Sequence, residues 1–370
     1  MKRIPFDEKE MTVLGTYPAR GSNPKMLKLN TPVTPRENML ALYRRETPLW
    51  IPQFFEVKPF APNVLPENKV RGMVMEELKM NPSEFGGKDM FGVEWIYEAL
   101  VGGSMVRPGA PKVEYIDEWK EKVEFPDPDS WDWAESAERN REFIEKMYGG
   151  QVAMRLTIYS GFFERLISWM DFENAAVALI DDDDKEYVHE VLDYMADLYI
   201  KMIGHIKESF PVDILQMHDD WGSQKDAFFS LDVVREMIVP HMKRVVDYCH
   251  EQGIFFDLHS CGMNKKLVPA MIEAGIDSWQ PQMINDTWDI CRTYGEKIII
   301  NVIPENTPKG LSDEEYDYMA QQWVDEHIEL FKSHPFIMLP TPMDPFGTTY
   351  VDPKFVAGVY KYSRMALDKD

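Results

Sequence analysis

Two polar clusters in the second half of the chain, and one tyrosine ahead of them, have residue types and spacings suited to chemistry. Asp257, His259 and Cys261 alternate along an apolar run, so their side chains share one face while Leu258 and Ser260 take the other. Imidazole and thiolate are ligands suited to zinc, and a carboxylate can complete such a site. A hydrogen-bonded histidine beside a small buried cysteine satisfies the same pattern without a metal. His218-Asp219-Asp220 sets two adjacent carboxylates beside a second imidazole. At a half-buried strand end, like-charge repulsion and desolvation raise one of the two pKa values and keep an acid protonated near neutrality. A helix cap with solvated aspartates is the competing account. Tyr159 adds a phenol after the apolar run Val152–Ile158.

These residues need a frame that brings strand ends together. Short apolar runs alternate with helical patterns from residue 134 onward: a helix over about Ala134–Met147, Val152–Ile158, a helix after Gly161, and a strongly periodic helix over Lys185–Ser209. Then come Val212–Met217, helix Asp232–Gln252, Ile254–Leu258, helix Asn264–Ala274, Asp277–Gln280, helix Asn285–Tyr294, Lys297–Ile303, helix Ser312–Ser333, Phe336–Leu339 and helix Pro353–Leu367. Such alternation gives a parallel sheet with right-handed crossovers, either a barrel or an open doubly wound sheet. No GxGxxG or GxxxxGK[ST] follows any strand, which favours an α/β (β/α)8 TIM barrel over a nucleotide-binding open sheet.

In a barrel the site lies at the carboxyl ends of the strands. Those ends supply Tyr159, His218, Asp219, Asp220, Asp257, His259, Gln280, Asn301 and Asp344. Thr34-Pro-Arg-Glu37 is a capping box that opens a short helix, and a strand is expected at Leu49–Phe55. Residues 1–35 read as an extended N-terminal arm, and 36–370 as one barrel with an irregular insertion over about 58–130. Short strands are expected there near Glu94–Leu100 and Lys112–Tyr115, and either residues 87–115 supply the eighth barrel strand or the barrel is distorted there. Trp50, Phe54, Phe91 and Trp95, aromatic residues of the irregular 50–115 segment, are candidates to line a substrate pocket, with Gln280 and Asn301 as polar contacts.

Composition narrows the function. With 40 Lys+Arg against 63 Asp+Glu the net charge is −23, and no basic stripe offsets it locally, so nucleic acid is not expected as a partner. The three cysteines have no CxxC spacing, and no apolar run is long enough for a membrane span; the expectation is a cytoplasmic protein in a reducing compartment. The 24 Met, 10 Trp, 16 Tyr and 20 Phe are types that build adaptable apolar pockets.

Several segments, in order, carry a family resemblance over about Thr34–Tyr362. They are Thr34-Pro-Arg-Glu-Asn38 with Pro48-Leu-Trp-Ile-Pro52, Gly161-Phe-Phe-Glu-Arg165, Asp171-Phe-Glu-Asn174, Asp219-Asp-Trp-Gly-Ser-Gln224, His259-Ser-Cys-Gly262, Glu273-Ala-Gly-Ile-Asp277 and Tyr294-Gly295. Together they resemble the uroporphyrinogen decarboxylase superfamily, and within it the corrinoid-dependent methyltransferases. The resemblance implies a (β/α)8 barrel. Decarboxylases of the family grip their polycarboxylate substrate with an Arg-containing segment after the first strand. Here that place holds Ile51-Pro-Gln-Phe-Phe55, which suits an uncharged aromatic substrate. Thiol-methylating relatives hold zinc with an HxC segment and a late cysteine; His259 and Cys261 match the first two, and Phe336–Asp344 has no cysteine.

The pattern that remains resembles the methyltransferase component of O-demethylases. Its expected reaction moves a methyl group from an aryl methyl ether to the Co(I) of a cobalamin (corrinoid) carried by a separate protein. That partner docks at the carboxyl-end face of the barrel, with His218, Asp219, Asp220, His259, Asp257 and Tyr159 as candidates for handling the leaving phenolate. Zinc held by His259, Cys261 and an unidentified third ligand, and a homodimer, are further expectations. The alternatives are methyl transfer from a methylated corrinoid to a thiol or tetrahydrofolate, and decarboxylation of a small substrate.

Overall fold

The apolar runs become parallel strands in the computed structural model, which describes residues 1–17, 24–99, 102–340 and 350–368. The chain forms two compact units, one of Met1–Lys58, Tyr148–Ala153 and Pro281–Asp370, the other of Pro59–Met147 and Met154–Gln280.

In the second unit β1 (Val57–Phe60), β2 (Ala153–Ile158), β3 (Ile214–His218), β4 (Phe255–Ser260) and β5 (Ser278–Pro281) lie side by side in that order. The helices between them are α1 (Phe162–Ala178) and α2 (Lys185–Ser209) after β2, and α3 (Leu231–Met237) and α4 (Val239–Glu251) after β3. In α2, Val188, Val191, Leu192, Met195, Leu198, Tyr199, Met202 and Ile206 are all buried, as their three-to-four spacing predicts. One helix was expected over Asp232–Gln252, and two are found. Pro240 lacks an N–H and tolerates only the first turn of a helix, so the chain breaks at Ile238 and restarts.

β2, β3 and β4 pair in parallel, and their register stacks equivalent positions in layers. One layer holds Thr157, Gln216 and Asp257; the next strand pair sets His218 beside His259. Matched positions in a parallel ladder face the same side, so these polar residues line one surface of the sheet.

The insertion departs from expectation. Gly87–Lys88, Glu94–Glu98 and Gly103–Val106 form a separate antiparallel three-stranded sheet, so the described residues of 87–115 add no strand to the parallel sheet. Trp95 and Tyr97 alternate with the exposed Glu94, Ile96 and Glu98, the pattern of a sheet packed on one face. Lys112–Tyr115 is not a strand; Val113 donates its N–H to the carbonyl of Trp169 instead.

In the first unit β6 (Ile299–Val302) and β7 (Phe336–Met338) pair in parallel, which brings the described parallel strands to seven. The strand expected at Leu49–Phe55 is cut short. Gln53 makes a single parallel bridge to Met338, and a 3-10 turn follows at Phe54–Glu56. The cause is local: Pro52 has no N–H, and the Glu56 carboxylate accepts from Gln53 N at 3.0 Å and Trp50 Nε1 at 3.0 Å, which tightens the chain into a turn. Within the N-terminal arm Val13–Thr16 pairs with Leu27–Leu29, and buried Glu10 accepts from Arg364 and from Tyr360 Oη at 2.6 Å. Among the described residues no helix is long and apolar enough to cross a membrane.

Candidate active site

The site is assembled where β3 and β4 end. Gly161 donates its N–H to the His218 carbonyl at 2.6 Å, and Asp219 donates to the His259 carbonyl at 3.0 Å, so β2, β3 and β4 stay tied together past their last residues. Two glycines then allow the β3 and β4 turns to meet. A Cβ on Gly262 (φ +92°) would stand 2.2 Å from the Gly222 carbonyl, so both turns run backbone against backbone.

The adjacent aspartates have different surroundings. Asp219 is fully buried and accepts from Phe162 N at 3.2 Å, Glu164 N at 2.9 Å and Trp221 Nε1 at 2.9 Å. It caps α1 in place of Gly161, whose own Cβ would strike the Asp219 side chain at 2.6 Å. Burial pushes its carboxyl up to about 6, against the pull of these donors. Asp220 turns the other way. Its Oδ1 accepts the Cys261 N–H at 2.6 Å, which lays the carboxylate beside the HxC segment.

His259 Nε2 and Cys261 Sγ are 3.3 Å apart, and together with an Asp220 carboxylate oxygen they form a group whose ligand atoms all lie within 4.8 Å of one another. Four-coordinate zinc with bonds of about 2.0–2.3 Å separates its ligand atoms by roughly 3.3–3.8 Å; the His259–Cys261 pair stands at that spacing with an Asp220 oxygen within 4.8 Å of both, and the donor types fit such an ion. Burial depresses the His259 pKa more than the Asp220 charge raises it, leaving the neutral imidazole that a metal requires. Burial, and then the charges of Asp220 and Glu164, push the Cys261 thiol above its ordinary range. A bound cation reverses that balance and deprotonates a coordinating thiol.

Around this group the rings of Tyr159 and His218 meet edge to face at 5.1 Å, and those of His218 and His259 lie 4.5 Å apart. Asp257 sits on β4 one inward-facing position before His259, level with Gln216, which donates to Gln280 Oε1 at 2.9 Å. The structure thus gathers Tyr159, His218, Asp220, His259 and Cys261, with Asp257 and Gln280 in the layer below.

Other residues singled out by sequence have packing or hydrogen-bond surroundings within their own units. In the first unit Trp50 is fully buried, its Nε1 on Glu56 and its ring against Tyr360 at 5.2 Å; Phe54 is half-buried in the 3-10 turn, and Asn301 is buried on β6. In the second unit Phe91 packs on Trp169 and under the Arg165 guanidinium, and Trp95 donates to Asp89. Asp344 lies outside the described residues.

Glu164 was not recognised as a site residue. It stands in the first turn of α1, its Oε2 is buried with no hydrogen-bond partner, and its charge acts on Asp220 and Cys261. Burial and then the Asp220 charge push it up to about 8. An acid in the first turn after a strand end was the available signal.

Comparison with known proteins agrees with this architecture. No curated protein sequence matches. Among solved structures, a methyltransferase from Methanosarcina mazei is similar in fold, with a TM-score of 0.59 at 12% identity over 91% of this chain and 98% of that one. An intracellular xylanase from Thermoanaerobacterium saccharolyticum reaches a TM-score of only 0.34 at 11% identity, over 60% of this chain and 79% of that one. Residues 163–334 match the family model for uroporphyrinogen decarboxylase (URO-D). That span contains the α1 acid, the Asp219–Gln224 turn and the His259–Gly262 segment.

Proposed function

We propose that the protein is the methyltransferase component of an O-demethylase, taking the methyl group of an aryl methyl ether and delivering it to the Co(I) of a cobalamin on a separate corrinoid protein. The observation that supports this most is the convergence of Asp220, His259 and Cys261 at one strand-end group, flanked by the Tyr159 and His218 rings. The fold likeness to a methyltransferase is consistent with it.

In this reaction the Co(I) electron pair forms the bond to the methyl carbon, and the C–O bond breaks with its electrons passing to the phenolate oxygen. A phenol has a pKa of about 10, so a proton or a positive charge at that oxygen lowers the barrier, a placed acid contributing on the order of 10²–10⁴-fold. A zinc-class cation held by Asp220, His259 and Cys261 supplies Lewis-acid chemistry at the ether oxygen when bound. The Tyr159 hydroxyl and the His218 ring stand beside these residues to hydrogen-bond the departing oxygen. Asp219 fixes the start of α1 and the β3 turn, and so sets where Asp220 and Glu164 stand. The carboxyl-end loops are also the docking surface for the corrinoid protein, because cobalt, methyl carbon and oxygen must lie in line.

The test is single-turnover methyl transfer from 2-methoxyphenol to cob(I)alamin, free or carried on a corrinoid protein. Catechol release equal to methylcobalamin formed, lost in His259→Ala, supports the assignment. A second reading, transfer from methylcobalamin to a thiol, gains weight from Asp220, which supplies a third donor beside the HxC pair without a late cysteine. Demethylation of methylcobalamin by an alkyl thiol, with no reaction toward methoxyarenes, would select it.

A further inference from the structure

Beyond Asp220 and Cys261, the turns after β3 and β4 expose Gln224, Lys225, Asp226, Met263, Lys265 and Lys266. The first turn is an ordered hairpin. Gly222 and Ala227 form an antiparallel bridge, Phe228 donates its N–H to the Trp221 carbonyl at 2.8 Å, and Ser223 Oγ accepts from Lys225 N and Asp226 N at 3.1 Å. The second turn is fastened to the first and to the site. Met263 donates its N–H to the Ser223 carbonyl at 2.9 Å, and Asn264 Nδ2 donates to the Cys261 carbonyl at 2.6 Å. Met263 is thereby held two residues from Cys261 with 38% of its surface in water.

The same turns bring together ammonium groups that lie far apart in the sequence, where no basic stripe is visible. Lys266 meets Asp226 at 2.9 Å, and among the described residues Lys225 enters no ion pair. With Lys265, residues 222–228 and 262–266 hold three cations and one anion, a local positive excess on a chain of net charge −23. An acidic partner is repelled by such a chain at a distance and attracted only where the lysines gather, so one face is selected and the others are rejected. An exposed methionine on ordered backbone supplies the apolar contact that interfaces place among their polar residues. Three lysines are too few to follow a nucleic-acid backbone, which is gripped through many cation–phosphate contacts.

We infer that Met263, Lys225, Lys265 and Lys266 form the docking footprint for an acidic face of the corrinoid protein, seated on the two turns that position Asp220 and Cys261. The inference rests on the proposed function and adds to it the chemistry of the partner's surface, carboxylates set around an apolar spot.

The experiment measures methyl transfer from 2-methoxyphenol to two acceptors, free cob(I)alamin and a corrinoid protein carrying cob(I)alamin, at low and high salt. From ~20 mM to ~300 mM salt the second-order rate constant should fall about tenfold with the corrinoid protein and less than about twofold with free cobalamin. Lys225→Glu/Lys265→Glu should lower the rate constant with the corrinoid protein about tenfold at low salt and remove most of its salt dependence. With free cobalamin the double variant should match the unaltered protein within about twofold, and Met263→Ser should lose about threefold on the corrinoid protein alone. A salt-independent rate with the corrinoid protein, an undiminished rate in the double variant, or equal losses on both acceptors would overturn the footprint while leaving the demethylase assignment intact. If neither acceptor is methylated, calorimetry with the same corrinoid protein decides. Binding at low salt that the double variant weakens about tenfold supports the footprint and counts against the demethylase, and no binding by the unaltered protein overturns the footprint.

Discussion

Asp219 and Asp220 are neighbours in sequence with separate tasks. Asp219→Asn keeps one accepting oxygen and sets its NH2 against either the Glu164 N–H or the Phe162 and Trp221 N–H groups, so it should destabilise the fold by about 1–3 kcal/mol, measurable by urea unfolding. Asp220→Asn keeps an oxygen for the Cys261 N–H but loses the charge. It should leave stability within about 1 kcal/mol and lower methyl transfer by two orders of magnitude or more. Unfolding curves and single-turnover rates on the two variants separate positioning from chemistry. Gly262→Ala tests the scaffold directly. With a Cβ 2.2 Å from the Gly222 carbonyl and a φ of +92° to keep, the variant should lose several kcal/mol or the site geometry, seen as lost ligand binding. That His259 and Cys261 lie side by side was legible in their alternation through the end of β4. Asp220 as their companion was not, because the Asp219-Asp220 pair carries no mark of which carboxylate turns toward the cysteine.

At the scale of elements, the buried Arg165 joins α1 to Glu67 and Asp89 and thereby holds the insertion against the barrel helix. Arg165→Ala leaves two buried carboxylates without their cation and should cost about 3–5 kcal/mol, read from denaturant midpoints. A second tie joins α4 to the turn before β5, where His250 Nε2 meets Asp277 Oδ2 at 2.8 Å. The hydrogen bond to Asp277 raises the His250 pKa; Asp277 and Asp247 favour the charged ring, while burial and Lys243 oppose it. A raised histidine pKa contributes stability that is fully present below about 6.5 and disappears as pH rises through the folded-state value. His250→Gln should therefore lower the unfolding midpoint at pH 5.5 and change it little at pH 8.5, by well under about 1 kcal/mol at this partly exposed site. Periodicity revealed α2 with its limits intact, because one apolar stripe runs its whole length. It missed the break at Ile238, where a single proline outweighs the pattern, and the Phe54–Glu56 turn, where a side chain captures backbone and indole N–H groups ahead of the sheet. The three-stranded sheet over the insertion was also only half legible. Its antiparallel pairing depends on partners, not on any strand's own sequence.

For the molecule as a whole, strand–helix alternation revealed the α/β class, and the ordered motifs pointed to the family whose model matches residues 163–334. The charge of −23 and the convergence of three metal-type donors have a joint consequence for handling. If a cation completes the Asp220, His259 and Cys261 group, chelation should lower the thermal midpoint, zinc should restore it, and His259→Ala should abolish that response. The substrate and acceptor decide the rest. The most direct measurement mixes the protein with cobalamin in the Co(I) state and a panel of methoxybenzoates and methoxyphenols, and follows the cobalt absorption spectrum. The account predicts conversion of Co(I) to methyl-Co(III) with one phenol released per methyl transferred, and no conversion with His259→Ala or Asp220→Asn. An unchanged Co(I) spectrum across the panel, with free cobalamin and with a corrinoid protein alike, would contradict it.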